Sequence, residues 1–289
     1  MTGAKLQAGL LEPAHRMFAT SPAISTETKN PAADVCAPGV TADRVIAWSE
    51  KKVALPVDRL LSLGGLGGVY IGLGAALATL VTSDSSLGMG PTRWLGGIAF
   101  SLGLLLVVVG GAELSTGNCL MAMARMRGQL TSHDLWRNWG LSYGANAVGA
   151  LLLAGVVAGS GIYDAEPLHA NIIRIAEAKM GLPFSQAFLR GMLANMLVCL
   201  AVWLAMCSQT VVGKFIGIAF PISAFVALGF EHSIANFFLI PAGLMAGAKG
   251  SVGDLIGNLV PVTAGNLVGG AVIVGGLLHW SHAQGGSPK

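Results

Sequence analysis

Long uncharged runs dominate the pattern of hydrophobic and polar positions in this chain. They lie between Arg59 and Asp84, Arg93 and Glu113, Arg137 and Asp164, Arg190 and Lys214, Lys214 and Glu231, and Asp254 and Lys289. A transmembrane helix needs about 20 mainly apolar residues to cross the hydrocarbon core. Four of the runs therefore predict ordinary spans, near residues 61–82, 138–160, 190–212 and 258–280.

Two apolar stretches, 94–124 and 215–248, are too long for one straight span each. As single helices they would extend about 45–50 Å, against a hydrocarbon core of about 30 Å. Each also carries ionisable residues near its centre, Glu113 in the first and Glu231 with His232 in the second. Non-helical backbone at membrane depth is stable only where protein covers it or where it lines a cavity. We therefore predict an all-α integral membrane protein with six spans, of which the second and fifth are broken into half-helices.

The two broken stretches are similar in sequence. GAELSTGN (111–118) aligns with GFEHSIAN (229–236) at a constant spacing of 118 residues, and NAVG (146–149) aligns with NLVG (266–269) at 120 residues. Each copy of this repeat would hold three spans. Because three is an odd number, the second copy must cross the membrane in the opposite sense. The sequence thus predicts an inverted 3+3 repeat whose broken spans meet near the middle of the bilayer.

The predicted domain organisation follows from these boundaries. Residues 1–40 mix Pro, Ala, Thr and scattered charges, and we expect a disordered extension there. Residues 41–58 predict an amphipathic helix that leads into the membrane. Residues 59–282 form the predicted six-span transport domain, with repeat one near 59–160 and repeat two near 183–282.

Composition supports a membrane protein. Hydrophobic residues make up 53% of the chain, charged residues only 11%, and the mean hydropathy is +0.68. A soluble domain carries about 25% charged residues. The formal net charge of +3 is too small to indicate a nucleic-acid partner. Twelve of the 17 Lys and Arg residues fall on the side that holds both chain ends, which predicts a multi-pass protein of the cytoplasmic membrane with both termini cytoplasmic.

The cysteines give no sign of a metal site or cofactor. Cys36, Cys119, Cys199 and Cys207 have no metal-binding spacing, and three of them lie in apolar runs. We expect inert thiols in the protein core. We also expect no enzymatic activity, because neither a His-Glu-x-x-His metal motif nor a GxSxG serine motif accompanies Glu231 and His232.

His232 is the strongest candidate for a functional role. In a soluble protein, a core histidine bonded to a backbone carbonyl would be favoured, but ionisable groups inside membrane spans are costly and usually mark a pathway or a proton relay. Histidine titrates near neutral pH. A carboxylate pays several kcal/mol to enter an apolar pore, so His232 could either protonate it or stay charged and stabilise it.

The acidic and amide residues at the two breaks have a different predicted role. Glu113 and Glu231 occur at equivalent positions of the repeat, as do Asn118 and Asn236. Because they recur in both copies, we expect structural side chains that accept or donate hydrogen bonds where the helices are interrupted.

Five stretches of the chain resemble the formate/nitrite transporter family. They are ELSTGN (113–118), NWGLSYGANAVGALL (138–152), NMLVCLAVW (195–203), GFEHSIANFFLIP (229–241) and NLVPVTAGNLVGG (258–270). The resemblance covers roughly residues 40–280 and is nearer to the formate branch than to the nitrite branch. It implies an aquaporin-like fold, a homopentamer with one pathway in each protomer, and partners that are small anions, protons and membrane lipid.

The resemblance also implies roles for polar residues of the pathway. It places Thr116 opposite His232 and assigns Asn266 to orienting the histidine. Asn195 is either a pathway residue or a bridge between helices. Lys179, sixteen residues before Asn195, is expected in the outer vestibule, where a cation would concentrate anions.

Apolar constrictions are implied as well. The resemblance assigns them to Phe100, Leu104, Leu114, Val198 and Phe225, for which ordinary helix packing is the alternative. A dry apolar slit excludes hydrated ions and passes a small neutral acid. One departure is Ser115, where relatives often carry phenylalanine, and we expect it to widen or loosen the first break.

Together these features predict a transporter of formate or a similar small monocarboxylate, proton-linked through His232. Nitrite transport by the same fold is the alternative. An aquaporin-type channel for neutral solutes is less favoured, because no Asn-Pro-Ala motif occurs in the chain.

Overall fold

The computed structural model describes residues 35–283, which are helical apart from turns, loops and one isolated antiparallel bridge between Val35 and Ser208. The α-helices are numbered in chain order: α1 (Pro38–Val53), α2 (Val57–Val81), α3 (Met89–Gly110), α4 (Ala122–Met126), α5 (Ser132–Gly159), α6 (Leu168–Met180), α7 (Phe184–Cys207), α8 (Val211–Ala227), α9 (Ser233–Met245), α10 (Val252–Leu267) and α11 (Gly276–His282). Short 3₁₀ segments lie at Gly117–Met121 and Ile162–Asp164, and a π-helical segment, Val268–Gly275, joins α10 to α11.

Five helical stretches in the described residues are long and apolar enough to cross a membrane. They are Val57–Val81, Met89–Gly110, Ser132–Gly159, Phe184–Cys207 and Val252–His282. Many large apolar side chains on the outside of these helices are exposed, for example Leu152 at 65% and Val156 at 68%. An apolar exterior suits contact with lipid tails, and the all-helical prediction is confirmed.

The two stretches that seemed too long for one helix are both interrupted. Helix α3 ends at Gly110, and the next residue, Gly111, has a left-handed φ of 80°. Helix α8 ends at Ala227, and Gly229 has a φ of 72°. Glycine adopts this conformation without the steric penalty that a Cβ would bring, which makes it the common residue just past a helix end. That the two halves of the chain cross a bilayer in opposite senses stays a prediction.

An asparagine holds the backbone at the first break. The Asn146 side chain on α5 donates from Nδ2 to the carbonyl oxygens of Gly64 (2.7 Å) and Glu113 (2.8 Å). Its Oδ1 accepts from the backbone N–H of Ser115 at 2.9 Å. One buried amide thus satisfies two backbone groups that the missing helical turn leaves without partners, those of Glu113 and Ser115, and ties them to α2 through Gly64.

The second break has the same arrangement. Asn266 on α10 donates from Nδ2 to the carbonyl oxygens of Gly191 (2.7 Å) and Glu231 (3.0 Å). Its Oδ1 accepts from Ser233 N–H at 3.0 Å. The internal repeat is therefore visible in hydrogen bonds as well as in sequence.

A buried carboxylate supports the first break from the other side. Glu113 accepts from Lys52 Nζ at 2.5 Å and from Asn118 Nδ2 at 2.9 Å, and Asn118 Nδ2 also donates to Asn138 Oδ1 at 2.9 Å. Lys52 lies on α1, outside the five long stretches. Burial lowers the pKa of its ammonium group, and the charge and hydrogen bond of Glu113 oppose that shift.

Glu231 is supported in the same way at the second break. Both of its carboxylate oxygens accept from Lys179 Nζ at 3.0 Å, and one accepts from Asn236 Nδ2 at 2.7 Å. Asn236 Nδ2 also donates to Asn258 Oδ1 at 2.7 Å. Lys179 lies on α6, so α6 plays the part for the second break that α1 plays for the first.

The boundaries before the first long helix differ from those predicted. Helix α1 spans Pro38–Val53 rather than 41–58. It begins earlier because proline is favoured in the first turn of a helix, and it ends earlier because Pro56 disfavours helical backbone at the residue before it. Most of the predicted disordered extension, 1–40, lies outside the described residues.

Helix α6 is absent from the prediction. It packs through Leu168, Ile172 and Ala176, which are spaced by four residues and buried. The helix has only 13 residues and carries Arg174, Glu177 and Lys179, so its sequence is easily taken for a loop.

We expect Gly149→Ala to destabilise the protein and Gly144→Ala, on the same helix α5, to leave it unchanged. A Cβ at Gly149 would overlap the carbonyl of Gly65, whereas a Cβ at Gly144 meets nothing within 4 Å. Overpacking of this kind costs about 1–3 kcal/mol. Thermal unfolding of the two variants in detergent measures the difference in stability. Equal unfolding midpoints would contradict the close backbone contact between Gly149 of α5 and Gly65 of α2.

We expect Lys52→Met to cost about 3–5 kcal/mol, because it leaves the buried Glu113 carboxylate without its cation. Adding Glu113→Gln should recover most of the loss. Arg127→Met is the matched control: its partner Asp43 has a two-thirds exposed side chain, and exposed pairs contribute less than about 1 kcal/mol. Stability in detergent is the measurement, and a Lys52→Met loss no larger than that of Arg127→Met would contradict a structural role for the pair.

Candidate functional site

His232 lies beside Thr116 at the point where the two interrupted stretches meet. Its Nε2 is 2.9 Å from Thr116 Oγ1, and its Nδ1 accepts from the backbone N–H of Ala235 at 3.2 Å. Both side chains are buried. Because Nδ1 is an acceptor, the neutral ring carries its proton on Nε2 and donates it to Thr116 Oγ1. The hydroxyl hydrogen of Thr116 is then free to donate to another group.

A cavity of about 480 Å³ approaches this pair from the side of α1. We call it the Lys52 cavity. Its lining includes four cations, Arg44, Lys51, Lys52 and Lys214, and the carboxylate of Glu113. Since Glu113 is paired with Lys52, three cations give the cavity a net positive charge.

A second cavity, of about 250 Å³, lies on the side of α6, and we call it the Lys179 cavity. Its lining likewise includes four cations, Arg93, Arg174, Lys179 and Arg190, and the carboxylate of Glu231. Lys179 is paired with Glu231, which again leaves three cations. Concave surfaces of one charge sign concentrate ions of the opposite sign, so both cavities favour anions.

Apolar side chains line the two cavities where both border α3. Phe100 and Leu104 are one turn apart on α3, and Phe100 lines the Lys179 cavity while Leu104 lines the Lys52 cavity together with Leu114. Phe225 packs edge to face on Phe100, with ring centroids 5.3 Å apart. Val198 is buried on α7. We call these five apolar residues, Phe100, Leu104, Leu114, Val198 and Phe225, the apolar layer.

Asn266 and Asn195 act on the main chain around the pair. All three hydrogen bonds of the Asn266 side chain go to backbone atoms, two of which belong to the neighbours of His232, Glu231 and Ser233. Asn195 Nδ2 donates to the carbonyl oxygens of Thr116 (3.2 Å) and Asn266 (2.7 Å). The structure thus places both asparagines as positioning residues that join the two breaks.

Lys179, which we expected in the outer vestibule, lines the Lys179 cavity, but its charge is paired there with that of Glu231. Its side chain is only 15% exposed and is bonded to both oxygens of Glu231. The uncompensated charge on this side therefore comes from Arg93, Arg174 and Arg190, which line the same cavity.

Lys52 is a site residue that sequence reasoning missed. The internal repeat could have revealed it, because Lys52 and Lys179 occupy equivalent positions of the two copies. Lys52 lies twelve residues before Gly64, and Lys179 lies twelve residues before Gly191. The Gly64 and Gly191 carbonyls bond the equivalent asparagines of the repeat.

Ser115 is a small, buried side chain next to Thr116. Its Oγ is buried without a hydrogen-bond partner among the described residues. It lines a third cavity of about 200 Å³, together with Thr116 and Ser233 and with residues of α5 and α10. Across residues 35–283, no group of three or more His, Cys, Asp or Glu residues could hold a metal ion.

Comparisons with known proteins agree with this arrangement. The profile of the formate/nitrite transporter family matches residues 39–280. A probable formate transporter of Methanothermobacter thermautotrophicus is 39% identical over 262 residues, which cover 84% of this chain and 95% of that protein. The formate channel FocA of Escherichia coli strain K12 is 37% identical over 235 residues, or 74% of this chain and 82% of that protein.

A solved structure is also similar. It is described as a pentameric formate channel with formate bound, and it superposes with a TM-score of 0.69 at 32% identity, covering 78% of this chain and 96% of that one. The matched family, the relatives and the apolar helices lead to one conclusion. This chain belongs to the formate/nitrite transporter family and is a multi-pass membrane protein.

Proposed function

We propose that this chain transports formate or a similar small monocarboxylate across the cytoplasmic membrane, and that the transport is proton-linked through His232. The observation that carries the proposal is the contact between His232 and Thr116, which lies between two cation-lined cavities at an apolar layer. The names of the relatives support formate as the substrate class.

The apolar layer is the reason why we expect a proton to bind the substrate carboxylate before it crosses. A carboxylate gathered in either cavity must leave water to pass Phe100, Leu104 and Phe225. Loss of water disfavours the charged form and raises the proton affinity of a carboxylate. The neutral acid is then the form that crosses, and the cavities serve to collect the anion on each side.

We propose that His232 manages that proton. In its resting neutral form Nδ1 caps α9 by accepting from Ala235 N–H, and a proton on Nδ1 would break that hydrogen bond. This hydrogen bond therefore favours the neutral ring. Thr116 links the ring to the substrate, because its hydroxyl can accept from Nε2 while donating to a carboxylate.

We further propose six spans in an inverted 3+3 repeat with an aquaporin-like arrangement. In this topology α3 with the segment after it forms the second span, α8 with α9 forms the fifth, and both termini are cytoplasmic. The matching hydrogen bonds of Asn146 and Asn266 support the repeat. The pentameric relative supports a homopentamer, in which the exposed apolar surface would contact neighbouring protomers and lipid.

Nitrite is the alternative substrate, since the same cavities would attract any small anion. Proteoliposomes that contain the protein can be offered formate, nitrite, lactate and glycerol across a pH gradient. Formate uptake that depends on the protein supports the proposal. Nitrite uptake without formate uptake would replace it with the alternative, and glycerol flux without anion flux would reject both.

We expect His232→Asn to fold but to lose at least about tenfold in formate uptake at about pH 5.5, together with its dependence on pH. Asparagine is a good helix N-cap and can keep the bond from Ala235, but it does not titrate. The control is His133→Ala, at an exposed position on α5, which should transport normally. Uptake in His232→Asn with an unchanged pH profile would contradict proton linkage through this residue.

We expect Lys214→Gln to raise the apparent KM for formate offered to the Lys52 cavity by about two- to fivefold at low salt. Added salt should shrink the difference, because it screens exposed charges. Lys214→Arg keeps the charge and serves as the control. If Lys214→Gln and Lys214→Arg had the same KM at every salt concentration, the positive field of the cavity would play no part in collecting substrate.

A further inference from the structure

Two cysteines that are far apart in sequence face each other beside α1. The antiparallel bridge pairs Val35 with Ser208, and Cys36 N–H donates to the Cys207 carbonyl at 2.9 Å. In this register Cys36 stands opposite Cys207. A disulfide requires Cα atoms about 4.4–6.8 Å apart, and the backbone hydrogen bond between the two cysteines brings their main chains into contact.

The pair is accessible, unlike the other two cysteines. Cys36 and Cys207 are partly exposed, whereas Cys119 and Cys199 are buried. The Cys36 and Cys207 side chains also lie near enough to interact electrostatically. The expectation of inert core thiols suits Cys119 and Cys199 but not this half-exposed pair.

The position of the pair connects it to the Lys52 cavity. Cys36 lies two residues before α1, and Cys207 is the last residue of α7. Nearly two turns into α1, Arg44 donates to the carbonyl of Met206 at 3.2 Å, and both residues line the cavity. A bond between Cys36 and Cys207 would therefore fix the start of α1 to the wall of the Lys52 cavity.

We propose that Cys36 and Cys207 are a redox modification site, at which a low-molecular-weight disulfide converts the two thiols into a covalent staple between α1 and α7. One cysteine thiolate attacks the oxidant, forms a mixed disulfide and releases one small thiol. The other cysteine thiolate displaces the second small thiol, and the cysteine disulfide forms. Two electrons pass to the oxidant, and the two cysteine protons end on the two thiols released.

The staple responds to the redox state of the compartment that α1 faces. Cytosolic thiol pools keep exposed cysteines reduced, and disulfides in that compartment are usually transient or sensing. The pair is thus reduced in ordinary conditions. Under oxidising conditions the staple holds α1, and with it Lys52, against the rest of the protein.

Disulfide mapping of the full-length protein in detergent tests the site. The protein is incubated with glutathione disulfide or with reduced glutathione, alkylated and digested with trypsin without reduction. Cys199→Ser is the background, because Cys199 and Cys207 share the tryptic fragment between Arg190 and Lys214. We expect a linked Cys36–Cys207 peptide after oxidation, its loss in Cys36→Ser and its persistence in Cys119→Ser.

Thermal unfolding separates a staple from a chance cross-link. We expect oxidation to raise the unfolding midpoint of the Cys199→Ser background and of its Cys119→Ser derivative, and reduction to reverse the rise. Cys36→Ser should show no rise. Two free alkylated thiols after oxidation, a cross-link only between separate chains, or a linked peptide without any rise would each overturn the proposal.

Discussion

No charged or backbone polar group is stable in an apolar interior without a partner, and the rest of this structure depends on that constraint. Breaking a helix inside an apolar region leaves backbone N–H and carbonyl groups without partners. Asn146 and Asn266 each bond two of them, and each also bonds one carbonyl oxygen of a neighbouring helix, Gly64 in α2 or Gly191 in α7. The buried carboxylates beside them are in turn held by lysines from α1 and α6. The breaks can therefore persist, and the space around them can be used for function.

The two repeats share this scaffold but differ at the residues that would meet a substrate. In the alignment of GAELSTGN with GFEHSIAN, Leu114 corresponds to His232, and Thr116 corresponds to Ile234. Each break thus supplies one polar residue where the other supplies an apolar one. The two polar residues meet at 2.9 Å, while Leu114 contributes to the apolar layer. A duplicated support with a single, unsymmetrical polar contact is how the fold places one histidine–threonine pair at the junction of two similar breaks.

Sequence reasoning predicted the features that stand out against an apolar background. Glycine and ionisable residues in the middle of overlong apolar stretches predicted both breaks, and the resemblance placed Thr116 beside His232. Lys52 was missed because it follows Glu50 and Lys51, where a charge is expected to face water. The π-helical segment Val268–Gly275 contains only apolar residues and glycine, so no polar position marks it. The pairing of Lys52 with Glu113 is a tertiary contact, and a single sequence does not display such contacts.

If the substrate passes the apolar layer together with a proton, formate uptake must carry acid into a vesicle. The measurement follows the pH inside proteoliposomes while a formate gradient is imposed at zero membrane potential, with protein-free liposomes as the reference. We expect internal acidification that accompanies formate uptake and exceeds the rate of the protein-free liposomes. Formate uptake that needs charge compensation by a permeant ion and leaves the internal pH unchanged would contradict it.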